Sequence, residues 1–544
     1  MTASDRPPEA PWPPRDAAHL LVSGEQMAEL EQQLFASGLP VEALMEKAAL
    51  ALSRRLLADH AAVLERHGAL VLVGPGHNGG DGLVVARELH LAGIAVVIWS
   101  PFERHKPLTA SHLRHARWLG VPQRSAAPEA AGPALWIDGL LGIGQRRPPD
   151  GTLQALFRER ARERPGRLVA IDVPTGLCAD SGHCLGDVAA QASHTYTLGL
   201  IKSGLVQDSA LRWVGELRRI DLALPAALLA QLPATQAVGL GPADLAAAPW
   251  PALDPAATKY GRGRLLVVAG SERYRGAAAL ALEGASAAGC GSLRAALPGC
   301  LAEGLWSLQP HVVVSRALAC DRQGHLALAQ LGDAELERLD ALLVGPGLGR
   351  GTGLGLESGE AVAPAAGGEA LAWQRLQGFA GLLVLDADGL NRLADLGAGD
   401  WLRERGGPTW ITPHRGEFNR LFPQWREAPA LEAALAAAGS SGASVLLKGA
   451  RSVVAASDGR RWQLLEAAPA AARAGLGDVL AGYGAAVGAM ALAAGEEASA
   501  TLLAAVALAH ACAGLTLQRR GAGRASPQAV ARCLAARAAA TEPG

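Results

Sequence analysis

With 544 residues, 50 basic against 51 acidic side chains and a formal charge of −1, the chain has no charge excess that would serve nucleic acid or a membrane surface. Its length implies two to four domains. Seven scattered cysteines without a CxxC pair exclude a zinc ribbon and fit a reduced, cytoplasmic setting. The first 20 residues hold five prolines and no apolar run, so no secretion signal is expected, and residues 1–18 read as a disordered leader. Only five of the 50 basic residues are lysines, namely Lys47, Lys106, Lys202, Lys259 and Lys448. A chain that favours arginine this strongly keeps a lysine where a compact ammonium is required.

Ser23 is a candidate N-cap for a helix through Glu31, and a second helix is expected over 41–57. Val71, Leu72 and Val73 read as the end of a buried parallel strand; five glycines follow within residues 74–82, and a helix is expected to begin near Leu83. Such a turn admits a ligand close to the backbone and offers unpaired N–H groups to an anion, whereas Asn78 and Asp81 inside it suit a cation or a polar ligand. Residues 94–99 form a second strand, followed by a helix whose His112 and His115 lack a third ligand nearby and read as surface residues. Two further strands end in an acid, at Asp138 and Asp172, the first leading into a Gly-rich loop with Arg146 and Arg147. Parallel sheets bind ligands beyond the carboxyl ends of their strands. Asn78, Asp138 and Asp172 are therefore expected to line one cleft, a better account than three separate helix caps. A strand over 195–202 delivers Lys202.

Residues 226–258 turn to Ala, Pro and Leu with little charge, which marks a domain boundary. A second α/β pattern then starts. Its parts are Lys259 to Gly263, a strand over 265–269, the turn 270–277, a strand and glycine turn over 341–349, and a strand ending in Asp386 and Asp388. Trp410 to Glu417 and Val445 to Ser452 continue the alternation. The last motif, Ala474-Gly475-Leu476-Gly477-Asp478, opens a helix. There, successive N–H groups form an anion hole for a transferring phosphoryl group, with an aspartate beside it as base for a hydroxyl. An ordinary helix start with an acidic first turn uses the same residues; the upstream Lys448 strand end and the His414–Glu417 turn favour phosphoryl chemistry. Residues 498–517 are nearly uncharged and long enough to cross a bilayer, but their alanines, Thr501, His510 and Gly514 read as a helix buried between layers.

Taken together, EQM, LME, GPGHNGGDG, IDGLLGIG, AIDVPTGL and TYTLGLIKSGL resemble the NAD(P)H-hydrate epimerase (YjeF N-terminal) domain. KYGRG, VVAGS, YRGAAAL, VGPGLG, DADGLN, TPHRGE, LKGARS and GLGDVLAG are similar to the ADP-dependent NAD(P)H-hydrate dehydratases, which are ribokinase-like. The resemblance implies an α/β chain of two domains. A Rossmann-like three-layer sandwich spans 19–228, a linker and the start of the second domain 229–258, and a ribokinase-like domain 259–544. It implies that the first domain interconverts the R and S epimers of nicotinamide cofactors hydrated at carbon 6, and that the second dehydrates the S form, converting ADP to AMP and phosphate. Homo-oligomers and small-molecule substrates are the expected partners, with no nucleic acid and no membrane.

The same resemblance assigns residues. In the first domain a potassium ion falls to Asn78, Asp138 and Thr175. The hydrate falls to His77, Asn78, Gly79, Gly80, Asp81, the loop Gly142, Ile143, Gly144, Gln145, Arg146, Arg147 and Pro148, and Asp172; Asp172 and Lys202 bind it or move its proton. In the second, Ala277, Gly347, Gly349, His414 and Asp478 meet the hydrate, with Asp478 as base. Lys448, Gly449, Ala450, Arg451, Ser452, Gly475 and Gly477 meet the adenine nucleotide, and Glu417 orders Mg²⁺ through water. His77 replaces a usual Asn, Thr175 a common Ser, and Ala474 and Leu476 the usual Gly and Thr/Ser, which removes one hydroxyl from the nucleotide site. An alternative is a small-alcohol kinase fused to a non-catalytic ligand sensor; such a kinase has no use for the Asn78, Asp138 and Asp172 cleft.

Overall fold

The computed structural model describes residues 11–350 and 365–538. The chain forms two compact units, Pro14–Gly239 and a second made of Leu240–Gly544 with the residues up to Pro13. Residues 1–10 of the expected leader lie outside the described residues, but 11–18 are held in place. The Trp12 indole donates to the Asp244 carbonyl at 2.9 Å, and Arg15 donates to the carbonyls of Ala234 and Pro233 at 2.8 and 2.6 Å. A guanidinium that satisfies several carbonyls at once fixes a segment whose composition alone reads as unstructured.

The first unit pairs β1 (Leu21–Val22) with β8 (Ile201–Lys202) beside a larger sheet of β2 (Ala69–Val73), β3 (Val96–Trp99), β4 (Gln123–Arg124), β5 (Leu135–Gly139), β6 (Leu168–Ile171), β7 (His194–Leu198) and β9 (Glu216–Ile220). The strand order is β4-β3-β2-β5-β6-β7-β9, and every pairing is parallel. The chain therefore runs outward from β2 to β4 and restarts at β5 on the other side. The crevice between β2 and β5 is the topological switch point, where open α/β sheets bind ligands. Alternate residues Leu70, Leu72, Trp136 and Ala170 share one core with Leu153 and Phe157 of helix Gly151–Glu163, each fully buried side chain of this size contributing about 1.5–3 kcal/mol.

The expected helix after β2 begins at His77, not near Leu83, with Gly76 as its N-cap, and runs to Leu91. The glycines explain the difference. None of Gly74, Gly76, Gly79, Gly80 or Gly82 has a positive φ. A Cβ at Gly79 would lie 2.1 Å from the Gly74 carbonyl oxygen, and one at Gly80 2.7 Å from the Met45 methyl. Gly79 and Gly80 are glycines because the first helical turn presses against the strand end and against the preceding helix Val41–His67, which kinks at His60, three residues past the expected end at Leu57, before continuing. His112 is half-buried with an unpartnered Nε2, so only His115 of that pair is exposed.

The second unit begins at Leu240, the last residue of β10 (Val238–Leu240), and its sheet continues with β11 (Arg264–Val268), β12 (Ser292–Pro298), β13 (Val313–Leu318), β14 (Ala341–Val344), β15 (Leu382–Leu385), β16 (Thr409–Ile411), β17 (Ser444–Leu447), β18 (Val453–Ala455) and β19 (Arg461–Leu464). The stretch 229–258 thus carries a strand as well as connecting chain. The order is β10-β19-β18-β17-β16-β15-β14-β11-β12-β13, parallel from β13 to β17 and antiparallel through β18 and β19. Here the switch point lies between β11 and β14. Helices Arg275–Ala288 and Leu476–Ala493 pack so closely that a Cβ at Gly482 would lie 1.9 Å from the Ala281 carbonyl oxygen. Helices Leu476–Ala493 and Ala500–Arg519 are both long and apolar enough to cross a membrane, yet each is 78% buried within the unit, as the alanine content of the second implied.

Candidate active sites

In the first unit the register Leu72↔Asp138↔Ala170 sets the ends of β2, β5 and β6 side by side. Asp138 is fully buried. It accepts from the backbone N–H and hydroxyl of Thr175, both at 2.8 Å, and from the Leu140 N–H at 3.2 Å. No ion pair reaches it among the described residues, and burial pushes its pKa up to about 6. The Asn78 side chain lies against Gly142, and its Nδ2 is buried without a partner among the described residues. Gln145 accepts from the Gly176 N–H at 2.6 Å and donates to the Pro174 carbonyl at 3.2 Å, fastening the 142–148 loop to the Thr175 turn. Arg146, Arg147 and Pro148 are exposed, Arg146 standing 3.7 Å from Asp180.

Asp172 follows β6 with φ 64°, a conformation that costs a non-glycine residue on the order of 1–3 kcal/mol and clusters at functional sites. Its N–H donates to the Tyr196 carbonyl at 2.8 Å, while its carboxylate accepts from the Leu198 N–H at 3.1 Å and from the Lys202 ammonium. Lys202 is buried, and its remaining donors go to the Leu198 carbonyl at 2.7 Å and the Thr197 hydroxyl at 3.2 Å. All three ammonium donors are thereby engaged inside the protein. Asp81, on the helix that starts at His77, has its pKa raised well above the usual carboxylate range by burial, then by Asp172 and Glu31. Glu31 is pushed up to about 7, first by burial, with Lys202 opposing and Asp172 adding to the rise. Burial and Lys106 lower the His77 imidazole.

In the second unit Asp386, at the end of β15, is buried. It accepts from the Lys448 ammonium at 2.5 Å and from the Thr412 hydroxyl at 2.9 Å. Ala387 beside it has φ 48°. Helix Leu476–Ala493 starts from Gly475, at φ 90°, and brings Gly477 to where a Cβ would stand 3.4 Å from the Lys448 ammonium and 3.9 Å from Asp386. Asp478 is pushed up to about 7, by burial first, then by Asp386, with Lys448 opposing. Burial would lower Lys448, but Asp386 and Glu417 hold it above its usual value; Glu417 is itself raised by burial. His414 caps helix Arg415–Leu421, its Nδ1 accepting from Gly416 and Glu417 while its own N–H donates to the Glu417 carboxylate at 2.9 Å. A Cβ on Gly347 would lie 2.6 Å from that of Ala277, and the Gly349 N–H donates to Asp388 at 2.8 Å. The Ser452 hydroxyl bridges the N–H and carbonyl of Gly449, and Gln463 holds the Arg451 carbonyl.

Comparison with known proteins gives these sites a context. A family model described as YjeF-related protein N-terminus matches residues 41–204, and one described as NAD(P)H-hydrate dehydratase matches residues 265–535. The bifunctional NAD(P)H-hydrate repair enzyme Nnr of Gloeobacter violaceus is 43% identical over 85% of this chain and 87% of its own length. The chain belongs to the bifunctional NAD(P)H-hydrate repair enzymes. The Nnr of Synechocystis sp. is 40% identical over 85% of this chain and 84% of its own. A solved ADP/ATP-dependent NAD(P)H-hydrate dehydratase from Bacillus subtilis, co-crystallised with ATP/Mg²⁺, is 24% identical and covers 55% of this chain and 96% of its own, with a TM-score of 0.42. As a repair enzyme the chain carries an epimerase and a dehydratase domain, and a kinase with an idle sensor is not favoured.

Two residues of this repair enzyme escaped the sequence reading. Asp386 was visible as a strand-end acid but carried no role until Lys448 was found on it. Glu31 had one readable signal. It lies seven residues after Gly24 and four after Met27, both buried, which places a carboxyl on the apolar stripe of its helix.

Proposed function

We propose that the first unit epimerises hydrated NADH and NADPH at carbon 6 and that the second dehydrates the S epimer with ADP as phosphoryl donor. In the second site Asp478 takes the proton of the carbon 6 hydroxyl, whose oxygen attacks the β-phosphorus of ADP as AMP leaves. Hydroxide is a poor leaving group, whereas the phosphate so formed departs with electron push from the ring nitrogen, and loss of a carbon 5 proton completes the dehydration. The N–H groups of the Gly475–Gly477 turn hold the migrating phosphoryl group. Lys448 has donors to spare for phosphate oxygens, residues 449–452 border the nucleotide, and Ala277, Gly347, Gly349 and His414 border the hydrate. Glu417, whose carboxyl is buried beside His414, would order Mg²⁺ through water. The observation that carries this reading is the convergence of Lys448, Asp386 and Gly477, with Asp478, on the start of one helix.

In the first site Asp172 acts as the acid/base on the carbon 6 hydroxyl and Lys202 holds Asp172. His77, Gly79, Gly80, Asp81 and the 142–148 loop enclose the hydrate. Asn78, Asp138 and Thr175 would hold K⁺: they offer oxygen donors, and Asp138 is a buried carboxyl with no ion pair among the described residues. The cation would neutralise Asp138 and keep the strand ends together. Incubating a mixture of epimers with the enzyme, ADP and Mg²⁺ and separating the products by chromatography tests both halves. Full consumption is expected. Residual R form would leave the first site inactive, and untouched S form would overturn the second.

A further inference from the structure

We infer that Glu31 is the second proton-transfer group of the epimerase site, the acid that complements Asp172; this rests on the reading of Asp172 above. Helix Gly24–Ala36 is wedged over the cleft. A Cβ at Gly199, in the turn that carries Lys202, would lie 2.8 Å from the Met27 methyl, and one at Gly24 would lie 3.3 Å from the Ile143 carbonyl of the 142–148 loop. Glu31 projects from the same stripe as Gly24 and Met27. It is half-buried, and among the described residues no hydrogen bond or ion pair reaches its carboxyl. The charged groups that face it are Lys202, Asp172 and Asp81.

Lys202 has already used its donors on Asp172, Thr197 and Leu198. Asp172 accepts from the Lys202 ammonium and the Leu198 N–H, whereas Glu31 meets no partner among the described residues and burial raises its carboxyl to about 7. The ion-paired carboxylate suits the role of base and the unpaired, buried carboxyl that of acid. Carbon 6 of the hydrate bears both a hydroxyl and the ring nitrogen, so it is a hemiaminal. Asp172 takes the hydroxyl proton, the C–O bond becomes a carbonyl, and the carbon–nitrogen pair passes to nitrogen, which takes the Glu31 proton. Rotation about the carbon 5–carbon 6 bond and closure on the other face return both protons. Nothing is oxidised and no co-reactant is needed.

The test measures epimer exchange by the full-length enzyme, without ADP, from pH 6 to 8.5. The wild type should lose rate above pH 7 as Glu31 ionises. Glu31→Gln should lower the rate at least about a hundredfold and abolish that fall, and Glu31→Asp should restore both rate and fall in part. A Glu31→Gln enzyme within threefold of wild type, or a slower one that keeps the wild-type pH fall, would overturn the inference. Should Asp172→Asn be inactive while Glu31→Gln is not, Glu31 alone is wrong; should both remain active, the reading of Asp172 goes too.

Discussion

Each unit places one lysine on an aspartate at a strand end, Lys202 on Asp172 and Lys448 on Asp386, and surrounds the pair with two more carboxyls. Those are Glu31 and Asp81 in the first, Glu417 and Asp478 in the second, and all four have raised pKa values. Burial is the first cause of the rise in all four, with neighbouring carboxylates adding to it and the one ammonium opposing it, so these acids resist ionisation. The pairs differ in what the lysine has left to give. The Lys202 side chain is 1% exposed with every donor engaged, whereas that of Lys448 is 19% exposed and faces the start of a helix. A closed ammonium is suited to positioning a base; an open one beside the N–H groups of a helix start is suited to phosphate.

The largest expected effect follows from the open site. Asp478→Asn should cut dehydration by about 10²–10⁴-fold and leave epimer exchange intact, as measured by phosphate release and by chromatography of the epimers. The same change should stabilise the enzyme above pH 7. The folded carboxyl titrates near 7 against an ordinary 3.8, so its ionisation penalises the fold increasingly between those values and fully above them. Removing it returns on the order of 1–3 kcal/mol at pH 8. Loss of both activities would mean that the sites do not act separately.

Next come the two pairs themselves. Asp172→Asn strands Lys202 where it has no other carboxylate in hydrogen-bond reach, and should cost about 3–5 kcal/mol in urea unfolding along with epimer exchange. Asp386→Asn should cost roughly 1–2 kcal/mol, because Lys448 keeps access to solvent and to Glu417 and Asp478. The reverse order would sink the contrast between a closed and an open lysine. The two activities should also run in opposite directions with pH. With Asp478 as the proposed base, dehydration should rise as pH passes about 7, and with Glu31 as the proposed acid, epimer exchange should fall there. A single pH series from 5.5 to 8.5 on one sample reads both limbs, and parallel profiles would remove the acid–base division.

Much of this architecture was legible because apolar strands and glycine turns repeat in order, and because acids stand where parallel strands end, as at Asp138 and Asp172; Asp478 was legible instead from the Gly-x-Gly-Asp that opens its helix. Asp386 was legible as a position but not as a partner, since the pairing with Lys448 joins residues 62 apart in sequence. The helix starts at His77 and not near Leu83 because glycine here answers to close packing and not to backbone freedom: at Gly79 an added Cβ would stand 2.1 Å from the Gly74 carbonyl oxygen. Glu31 stayed hidden for a different reason. Helix amphipathicity is read from apolar residues, and a lone acid on their stripe registers as noise until the opposite wall of the cleft is known.

The smallest effect separates the two kinds of glycine. At Gly79 an added methyl would overlap backbone oxygen that cannot move aside, so Gly79→Ala should destabilise the first unit by on the order of 1–3 kcal/mol. Gly477 is not at positive φ, and its added methyl would meet only the end of the flexible Lys448 side chain at 3.4 Å and Asp386 at 3.9 Å. Gly477→Ala should therefore leave stability within about 1 kcal/mol. The methyl instead fills the space between ammonium and helix start where a phosphoryl oxygen would lie. KM for ADP should rise about three- to tenfold, the loss of roughly one hydrogen bond of 0.5–1.5 kcal/mol, with epimer exchange untouched. An unchanged KM would place the nucleotide phosphates away from this turn, leaving Lys448 as a partner for Asp386 alone.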